Sequence, residues 1–132
     1  MFLVDTNIFL EILLDQENAD AAKKFLTDVD SPRLFMSDFS LHSIGVILFR
    51  LDSRDILQEF IQDVILDGGV KVIHIEPSGL NIVVEAAKSF DLDFDDAYQY
   101  ALSKKFDLQI ISFDGDFDKT DTGRLAPSDV KL

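Results

Sequence analysis

Short apolar segments alternate with helical segments along this chain, and no other feature of the sequence constrains its fold as strongly. Four apolar segments are predicted to be strands, at residues 2–5, 33–36, 70–75 and 108–112. Strands that alternate with helices usually form a parallel sheet whose two faces are covered by those helices. The sequence therefore predicts an α/β fold with a central, mostly parallel sheet.

Apolar residues that recur every three or four positions, together with polar residues suited to helix starts, predict six helices between these strands. The helices cover residues 6–14, 17–29, 38–51, 54–67, 77–90 and 94–106. The end of the chain is rich in loops, with one short edge strand expected near Arg124 or Val130. A chain of 132 residues, 47% of them hydrophobic, can fill one core and is expected to form one domain, 1–132.

Composition narrows the classes of function. The chain contains no cysteine, which excludes disulfides, cysteine-ligated zinc and thiol nucleophiles. Its net charge of −13 opposes nucleic-acid binding by the surface as a whole. Exposed charges more than about 8–10 Å apart are screened, however, so local patches and bound cations can still determine whether nucleic acid binds. The first residues do not resemble a secretory signal, and no apolar run reaches the roughly 18 residues of a membrane helix, so a cytoplasmic location is expected.

Two aspartates stand at the ends of predicted strands. Asp5 ends the first strand, and Asp114 follows the last one. A carboxylate at the end of a buried strand costs free energy unless it caps a helix or binds a ligand such as a metal ion. Because the carboxyl ends of parallel strands meet at one edge of the sheet, where ligands bind, Asp5 and Asp114 are predicted to share that edge.

Two acidic clusters extend this pattern. Residues 91–96 are Asp-Leu-Asp-Phe-Asp-Asp at a helix start, and residues 112–118 are Ser-Phe-Asp-Gly-Asp-Phe-Asp after a strand. Clustered carboxylates repel one another unless a positive charge lies among them, and Mg²⁺ and Mn²⁺ prefer oxygen ligands. The first cluster also has capping-like spacing between Asp93 and Asp96, and the second has the composition of a turn. The residues alone therefore do not distinguish a metal site from structural roles in helix capping and in a turn.

Several other known site motifs do not match the residues and spacings of this sequence. Both clusters begin like calcium-binding loops, but the position that such loops reserve for glycine holds Asp96 in one and Lys119 in the other. The chain has no phosphate-binding glycine loop, and His42 and His74 lack the spacing of a zinc motif. An aspartate-based phosphohydrolase or phosphoreceiver domain would need a lysine partner for its nucleophile, and no lysine stands where a receiver domain requires it.

Three segments, in order and at these spacings, resemble the motifs of PIN-domain proteins, most closely the VapC-type toxin ribonucleases. Residues 4–10 are Val-Asp-Thr-Asn-Ile-Phe-Leu, similar to the family's opening segment. Residues 95–97 are Asp-Asp-Ala, where the family has an acid followed by alanine at a helix start. Residues 110–117 are Ile-Ile-Ser-Phe-Asp-Gly-Asp-Phe, similar to the family's last strand and the acids after it. Together the three motifs span nearly the whole chain.

The resemblance implies a three-layer α/β/α fold and Mg²⁺- or Mn²⁺-dependent cleavage of single-stranded or structured RNA. It also implies a homodimer and, for the toxin members, an antitoxin partner encoded beside the toxin. The matching catalytic and metal-binding acids are Asp5, Asp96 and Asp114, with Asp116 as a further metal ligand in the third motif. Asn7 and Ser112 match small polar positions that support the site.

One position departs from the family pattern. Members usually carry a glutamate in the helix after the second strand, and Ser43 stands at the matching position here. Asp38 and Glu11 are the candidates to replace it. The loss of one carboxylate weakens a two-cation site most, while a one-cation site remains feasible. Two functions therefore stay open: a metal-dependent endoribonuclease of a toxin–antitoxin pair, and a degenerate, non-catalytic PIN-like module that binds a protein partner or RNA.

Overall fold

The computed structural model describes residues 1–131 and contains one four-stranded sheet. Its strands are β1 (Phe2–Val4), β2 (Leu34–Ser37), β3 (Lys71–Ile73) and β4 (Gln109–Ile111). All the pairings are parallel, and the strand order is β3-β2-β1-β4. The chain builds outward from β1 to β3 on one side and later adds β4 on the other. The strand order thus reverses at β1, and such a switch point opens a crevice at the carboxyl ends of β1 and β4.

Within residues 1–131, six α-helices connect the strands, in agreement with the predicted number. They are α1 (Thr6–Leu13), α2 (Ala19–Asp28), α3 (Asp38–Arg50), α4 (Arg54–Phe60), α5 (Leu80–Phe90) and α6 (Phe94–Phe106). A π-helical segment, Ile61–Leu66, continues α4 to within one residue of the predicted helix end at residue 67. Gly69 has a φ of 77°, a left-handed conformation that glycine adopts without steric cost. Pro77, predicted to start a helix, instead begins a 3₁₀ turn, Pro77–Gly79, directly before α5.

The helices form two layers because successive strand residues point to opposite faces of the sheet. Phe2 and Val4 face one layer, where they belong to a buried cluster with residues of α1, α2, α3 and α4. Leu3 and Ile110 face the other layer, where they belong to a second cluster with residues of α5 and α6. This three-layer α/β/α arrangement confirms the predicted fold.

The expected edge strand near Arg124 or Val130 is reduced to a single bridge. Leu125 pairs in parallel with Ile111, and its N–H donates to the carbonyl of Ile110 over 2.9 Å. Pro127 follows two residues later and begins a 3₁₀ turn. Because proline has no N–H to donate to a ladder, pairing stops there.

None of the helices within residues 1–131 combines the length and apolar character that a membrane crossing requires.

Candidate functional site

Asp5 lies at the switch point, between the end of β1 and the start of α1. The residue is only 7% exposed. Oδ1 accepts hydrogen bonds from the Thr6 N–H at 2.8 Å and from Gln99 Nε2 at 2.9 Å, and Oδ2 accepts one from Ser112 Oγ at 2.6 Å. A carboxylate has about four lone-pair positions, and three of them are used. Asp5 can therefore offer one further bond, from Oδ2.

Asn7 and Ser112 connect α1 to the segment that follows β4. Asn7 Nδ2 donates to Ser112 Oγ over 3.2 Å, and Asn7 Oδ1 accepts from the Phe113 N–H at 3.3 Å. Ser112 Oγ also accepts from the Asp114 N–H at 2.9 Å while donating to Asp5. Both supporting residues named from the sequence thus hold the two strand-end aspartates in a common position.

Asp96, Asp114 and Asp116 converge on one point. One carboxylate oxygen from each lies within 4.8 Å of those from the other two. Asp96 is in the first turn of α6. Asp114 is the N-cap residue of the 3₁₀ turn Gly115–Lys119, and its Oδ1 accepts from the Asp116 N–H at 2.8 Å. Three oxygens at this separation are the donor set that a hard divalent cation prefers. Asp5 lies outside this group of three but is close enough to perturb Asp96 electrostatically.

The structure also tests the capping interpretations of these acids. Asp93 is the N-cap residue of α6, but its side chain makes no capping hydrogen bond. Asp96, three residues later, faces the other acids, so these two residues do not form a capping pair. Asp5 and Asp114 do accept backbone hydrogen bonds at the starts of α1 and the 3₁₀ turn. Their structural role and a ligand-binding role are therefore compatible.

The shared environment perturbs the titration of two of these acids. Burial, followed by repulsion from Asp114, Asp95 and Asp5, raises the pKa of Asp96 from 3.8 to about 8. Burial also raises the pKa of Asp5, although the hydrogen bonds from Ser112, Gln99 and Thr6 oppose that shift. A carboxylate that resists ionisation beside other carboxylates marks a place where a cation would be strongly stabilised.

Comparison with known proteins identifies the family. The family model of the PIN domain matches residues 2–123 of the chain. The chain belongs to the PIN domain family. No curated protein matches the sequence of this PIN domain with significance.

Solved structures share the fold at low sequence identity. A toxin–antitoxin complex from Klebsiella pneumoniae has a TM-score of 0.77 at 19% identity, covering 98% of this chain and 100% of that chain. FitAcB from Neisseria gonorrhoeae has a TM-score of 0.76 at 22% identity, with 98% and 100% covered. VapC20 from Mycobacterium tuberculosis, a toxin that cleaves the sarcin–ricin loop, has a TM-score of 0.79 at 21% identity, with 96% and 100% covered.

Ser43 lies in the wall of a pocket of about 330 Å³ that Asp5 and Asn7 also line. The position where the PIN family usually carries a glutamate therefore faces the candidate site. Asp95 lies in the same wall, so the pocket still contains two acids. Asp95 belongs to the motif recognised in the sequence, but its place beside Asp5 depends on how α6 is packed.

Neither acid suggested as a replacement for that glutamate lines this pocket. Asp38 Oδ1 accepts from the Tyr98 hydroxyl at 2.7 Å and from the Phe39 N–H at 2.8 Å. The Glu11 carboxylate accepts from the backbone and side chain of Asn18, at 3.2 and 3.4 Å. Both carboxylates therefore have structural partners elsewhere.

Gln99 is the main site residue that sequence reasoning missed. Its buried Nε2 donates to Asp5 Oδ1 and to Ser40 Oγ, which ties α6 to β1 and α3. Its Oε1 is buried without a hydrogen-bond partner among residues 1–131, and such an unpaired acceptor costs about 1–3 kcal/mol. The available signal was its position three residues after Asp96, which places both side chains on one helix face.

The perturbed acids predict an unusual pH dependence of stability in the absence of divalent cations. The pKa of Asp96 is about 8 in the folded protein, above the ordinary 3.8 expected for the unfolded chain. Its contribution to stability is therefore complete below about pH 4 and is lost as the pH rises through about 8. We expect the Tm measured in EDTA to fall by a few degrees between about pH 5 and pH 8. Asp96→Asn is expected to reduce this fall.

Asp107→Asn is the matched control, because it removes one exposed acid from the far end of α6. It is expected to retain the wild-type slope of Tm against pH. An Asp96→Asn slope equal to that of the wild type would contradict the assignment of this pH dependence to Asp96.

Proposed function

We propose that this PIN domain is a metal-dependent endoribonuclease that hydrolyses RNA phosphodiester bonds and acts as the toxin of a toxin–antitoxin pair. The observation that carries the proposal is the convergence of Asp96, Asp114 and Asp116 beside buried Asp5, at the switch point of the sheet. Membership of the PIN domain family supports it.

The residues present fit Mg²⁺ or Mn²⁺. The three converging side chains offer only oxygen. Burial and repulsion from Asp114 contribute to the high pKa of Asp96, which a divalent cation would lower. Asp5 can offer the cation one further oxygen ligand, because one lone-pair position of its Oδ2 is unused. When bound, such a cation lowers the pKa of an attacking water and neutralises charge on the phosphodiester.

The other residues of the site have positioning roles in this proposal. Ser112 and Asn7 fix the distance between Asp5 and Asp114 through their hydrogen bonds. Lys119 Nζ lies 3.7 Å from Asp116 Oδ1, and an Arg124 nitrogen donates to the Ser112 carbonyl at 3.0 Å. In this proposal the positive charges of the Lys119 and Arg124 side chains attract an RNA phosphate to an otherwise acidic edge, because these charges act at short range.

The dependence on metal can be tested by removal and replacement of the cation. We expect the purified protein to cleave a mixed pool of RNA in Mn²⁺ or Mg²⁺ and to lose this activity in excess EDTA. Activity should return when Mn²⁺ is restored, because the acid cluster is held by the fold and not by the cation. Cleavage is measured from the 5′-labelled products on a denaturing gel.

Two controls sharpen this test. Isothermal titration of Mn²⁺ into the RNA-free protein measures binding separately from cleavage. Asp114→Asn should lose both signals, whereas Asp107→Asn should retain both. Cleavage that persists in EDTA, or that survives in Asp114→Asn, would refute the metal-dependent mechanism.

The proposed partners extend the same function. Two of the similar structures are described as a toxin–antitoxin complex and as FitAB bound to a DNA fragment, which supports an antitoxin as the protein partner here. We also propose that the free protein forms a homodimer. Co-purification with the product of the adjacent gene tests the first proposal, and light scattering on the free protein tests the second.

A second candidate function is a non-catalytic module that binds a protein partner or RNA. An open apolar groove of about 680 Å³ on α3 and α4 favours it, as does Ser43 in place of the usual glutamate. The groove is lined by Leu41, His42, Gly45, Val46, Phe49, Arg50, Leu57 and Ile61. No carboxylate lines it, so it is separate from the acid site. Partner or RNA binding without Mn²⁺ binding or cleavage would favour this second function.

A further inference from the structure

The side chain of Gln99 joins three elements around the acid site. Gln99 lies on α6, and only 2% of the residue is exposed. Its Nε2 donates to Asp5 Oδ1 over 2.9 Å and to Ser40 Oγ over 2.8 Å. Both N–H groups of the amide are therefore used, one on the aspartate at the end of β1 and the other on a serine of α3.

The orientation of the Gln99 amide follows from its partners. Asp5 Oδ1 already accepts from the Thr6 N–H, so a reversed amide would place Oε1, an acceptor, against another acceptor. In the observed orientation Oε1 is buried and has no hydrogen-bond partner among residues 1–131. An unpaired buried acceptor costs free energy, and such costs are typical of functional sites. The two contacts of Nε2 therefore indicate a role beyond packing.

Ser40 extends these contacts into a buried network at the ends of two strands. Its Oγ lies 2.8 Å from Thr6 Oγ1 and 3.1 Å from Ser37 Oγ, within hydrogen-bonding range. Ser37 ends β2, and its Oγ caps α3 by accepting from the Ser40 N–H at 2.9 Å. Both serines are fully buried. Because hydrogen bonds are directional, this network fixes the Gln99 amide relative to the ends of β1 and β2.

The same face of α6 contacts both parts of the acid site. Asp96 precedes Gln99 by three residues, so the two side chains are neighbours on the helix surface. The carboxylate of Asp96 meets those of Asp114 and Asp116, whereas the amide of Gln99 meets Asp5. A shift of α6 along the sheet would therefore move Asp96 relative to Asp5, and the hydrogen bonds of Gln99 oppose that shift.

We propose that Gln99 is a positioning residue of the cation site: the hydrogen bonds of its amide nitrogen hold α6 where Asp96 and Asp5 reach the same cation. This proposal rests on the metal-dependent function, and it gives a role to a residue that binds a ligand of the cation and not the cation itself. Hydrogen-bond partners of metal ligands orient those ligands, and their loss typically weakens metal binding 10- to 100-fold.

The first test replaces the amide. Gln99→Met removes both N–H donors but keeps a long, unbranched side chain that suits a helix. Isothermal titration of Mn²⁺ into the RNA-free variant should give a Kd about 10- to 100-fold above that of the wild type. Circular dichroism confirms the fold.

Ser103→Ala is the matched control for this substitution. Ser103 is also a buried polar residue of α6, four positions after Gln99, but its Oγ donates to the Tyr100 carbonyl within the same helix. Ser103→Ala should leave the Kd for Mn²⁺ unchanged. A loss of affinity as large as that of Gln99→Met would show that any buried polar contact of α6 matters equally, and would overturn the proposal.

A double-mutant cycle separates positioning from a general loss of structure. Asp5→Asn removes the charge with which residue 5 would bind the cation. In that background Gln99→Met should change the Kd for Mn²⁺ by less than about threefold, because the remaining acids no longer need alignment with residue 5. Equal effects of Gln99→Met in both backgrounds would mean that it acts through the fold as a whole, which would also overturn the proposal.

Nuclear magnetic resonance of the wild type tests the contact without a substitution. The side-chain N–H signals of Gln99 should shift as Mg²⁺ is added, and the shift should saturate with the binding of the cation, because the amide is bonded to Asp5. Signals that do not move when the site is saturated would contradict the positioning role.

These measurements need no RNA, so the failure of this proposal can be distinguished from the failure of the proposed function. If Gln99→Met binds Mn²⁺ more weakly but the wild type never cleaves RNA, the positioning role stands and the ribonuclease function is wrong. If Gln99→Met binds Mn²⁺ normally and the wild type shows metal-dependent cleavage, the reverse holds. A wild type that binds no Mn²⁺ would overturn both.

Discussion

The Asp96→Asn variant is expected to bind Mn²⁺ at least about a hundredfold more weakly than the wild type and to lose RNA cleavage. Replacing a partner of a metal ligand typically costs 10- to 100-fold in affinity or activity, so losing a direct ligand should cost at least the upper end of that range. Asparagine keeps the size of the side chain but removes its charge. The affinity is measured by isothermal titration, and cleavage by the initial rate on single-stranded RNA.

The same variant should remain folded, which distinguishes loss of the site from loss of the protein. The pKa of Asp96 is about 8 in the folded protein and near 3.8 in the unfolded chain, so near neutral pH the wild type must take up a proton at this residue when it folds. Asparagine has no such cost, so Asp96→Asn should raise Tm near neutral pH in EDTA. Asp107→Asn again provides the control. Asp107 has a φ of 54°, and asparagine tolerates this left-handed conformation. Similar losses in both variants would show that cation binding depends on total charge and not on the converging acids.

The second large effect is expected at Phe117, which anchors the turn that carries two of the acids. Its side chain is fully buried in the cluster with Leu3 and Ile110, while Asp114 and Asp116 lie three residues and one residue before it. Phe117→Ala should lower the free energy of unfolding by about 3–5 kcal/mol, because it removes a large ring and leaves a cavity. Urea unfolding monitored by circular dichroism measures this change.

Phe117→Ala should also weaken Mn²⁺ binding in the protein that remains folded, since the turn that positions Asp114 and Asp116 loses its anchor. Phe106→Ala, which truncates an exposed ring, should change the free energy of unfolding by no more than about 0.5 kcal/mol. A Phe117→Ala protein as stable as the wild type would contradict the packing described for this turn. Normal Mn²⁺ affinity despite a large loss of stability would show that the turn keeps its shape without the anchor.

Local patterns in the sequence were sufficient for most of the secondary structure. The helix predicted at residues 94–106 is found as Phe94–Phe106, because the acids that favour its first turn and the lysines that favour its last turn lie within the segment itself. Each predicted strand is present, with ends that differ from the prediction by at most two residues. The edge strand predicted near Arg124 or Val130 is present only as a single bridge at Leu125, since β pairing depends on a partner and here stops shortly before a proline.

The residues that form the site were harder to predict than the position of the site in the fold. The sequence predicted Asp5 and Asp114 at one sheet edge, and the structure places both there. Gln99 was missed because its contact with Asp5 depends on the rotation of α6 against the sheet, and no pattern within α6 specifies that rotation. For the same reason, the sequence alone did not show that the carboxylates of Asp96, Asp114 and Asp116 form one group and that Asp5 lies outside it.

By itself, the sequence determined the alternation of strands and helices, the acids at their ends and the resemblance to the PIN domain family, because each of these is encoded over short distances along the chain. The tertiary structure decided the strand order β3-β2-β1-β4 and the burial of Asp5. It also decided the convergence of acids from α6 and the turn after β4. These features depend on contacts between residues that are distant in sequence, and the packing of the two helical layers on the sheet brings those residues together.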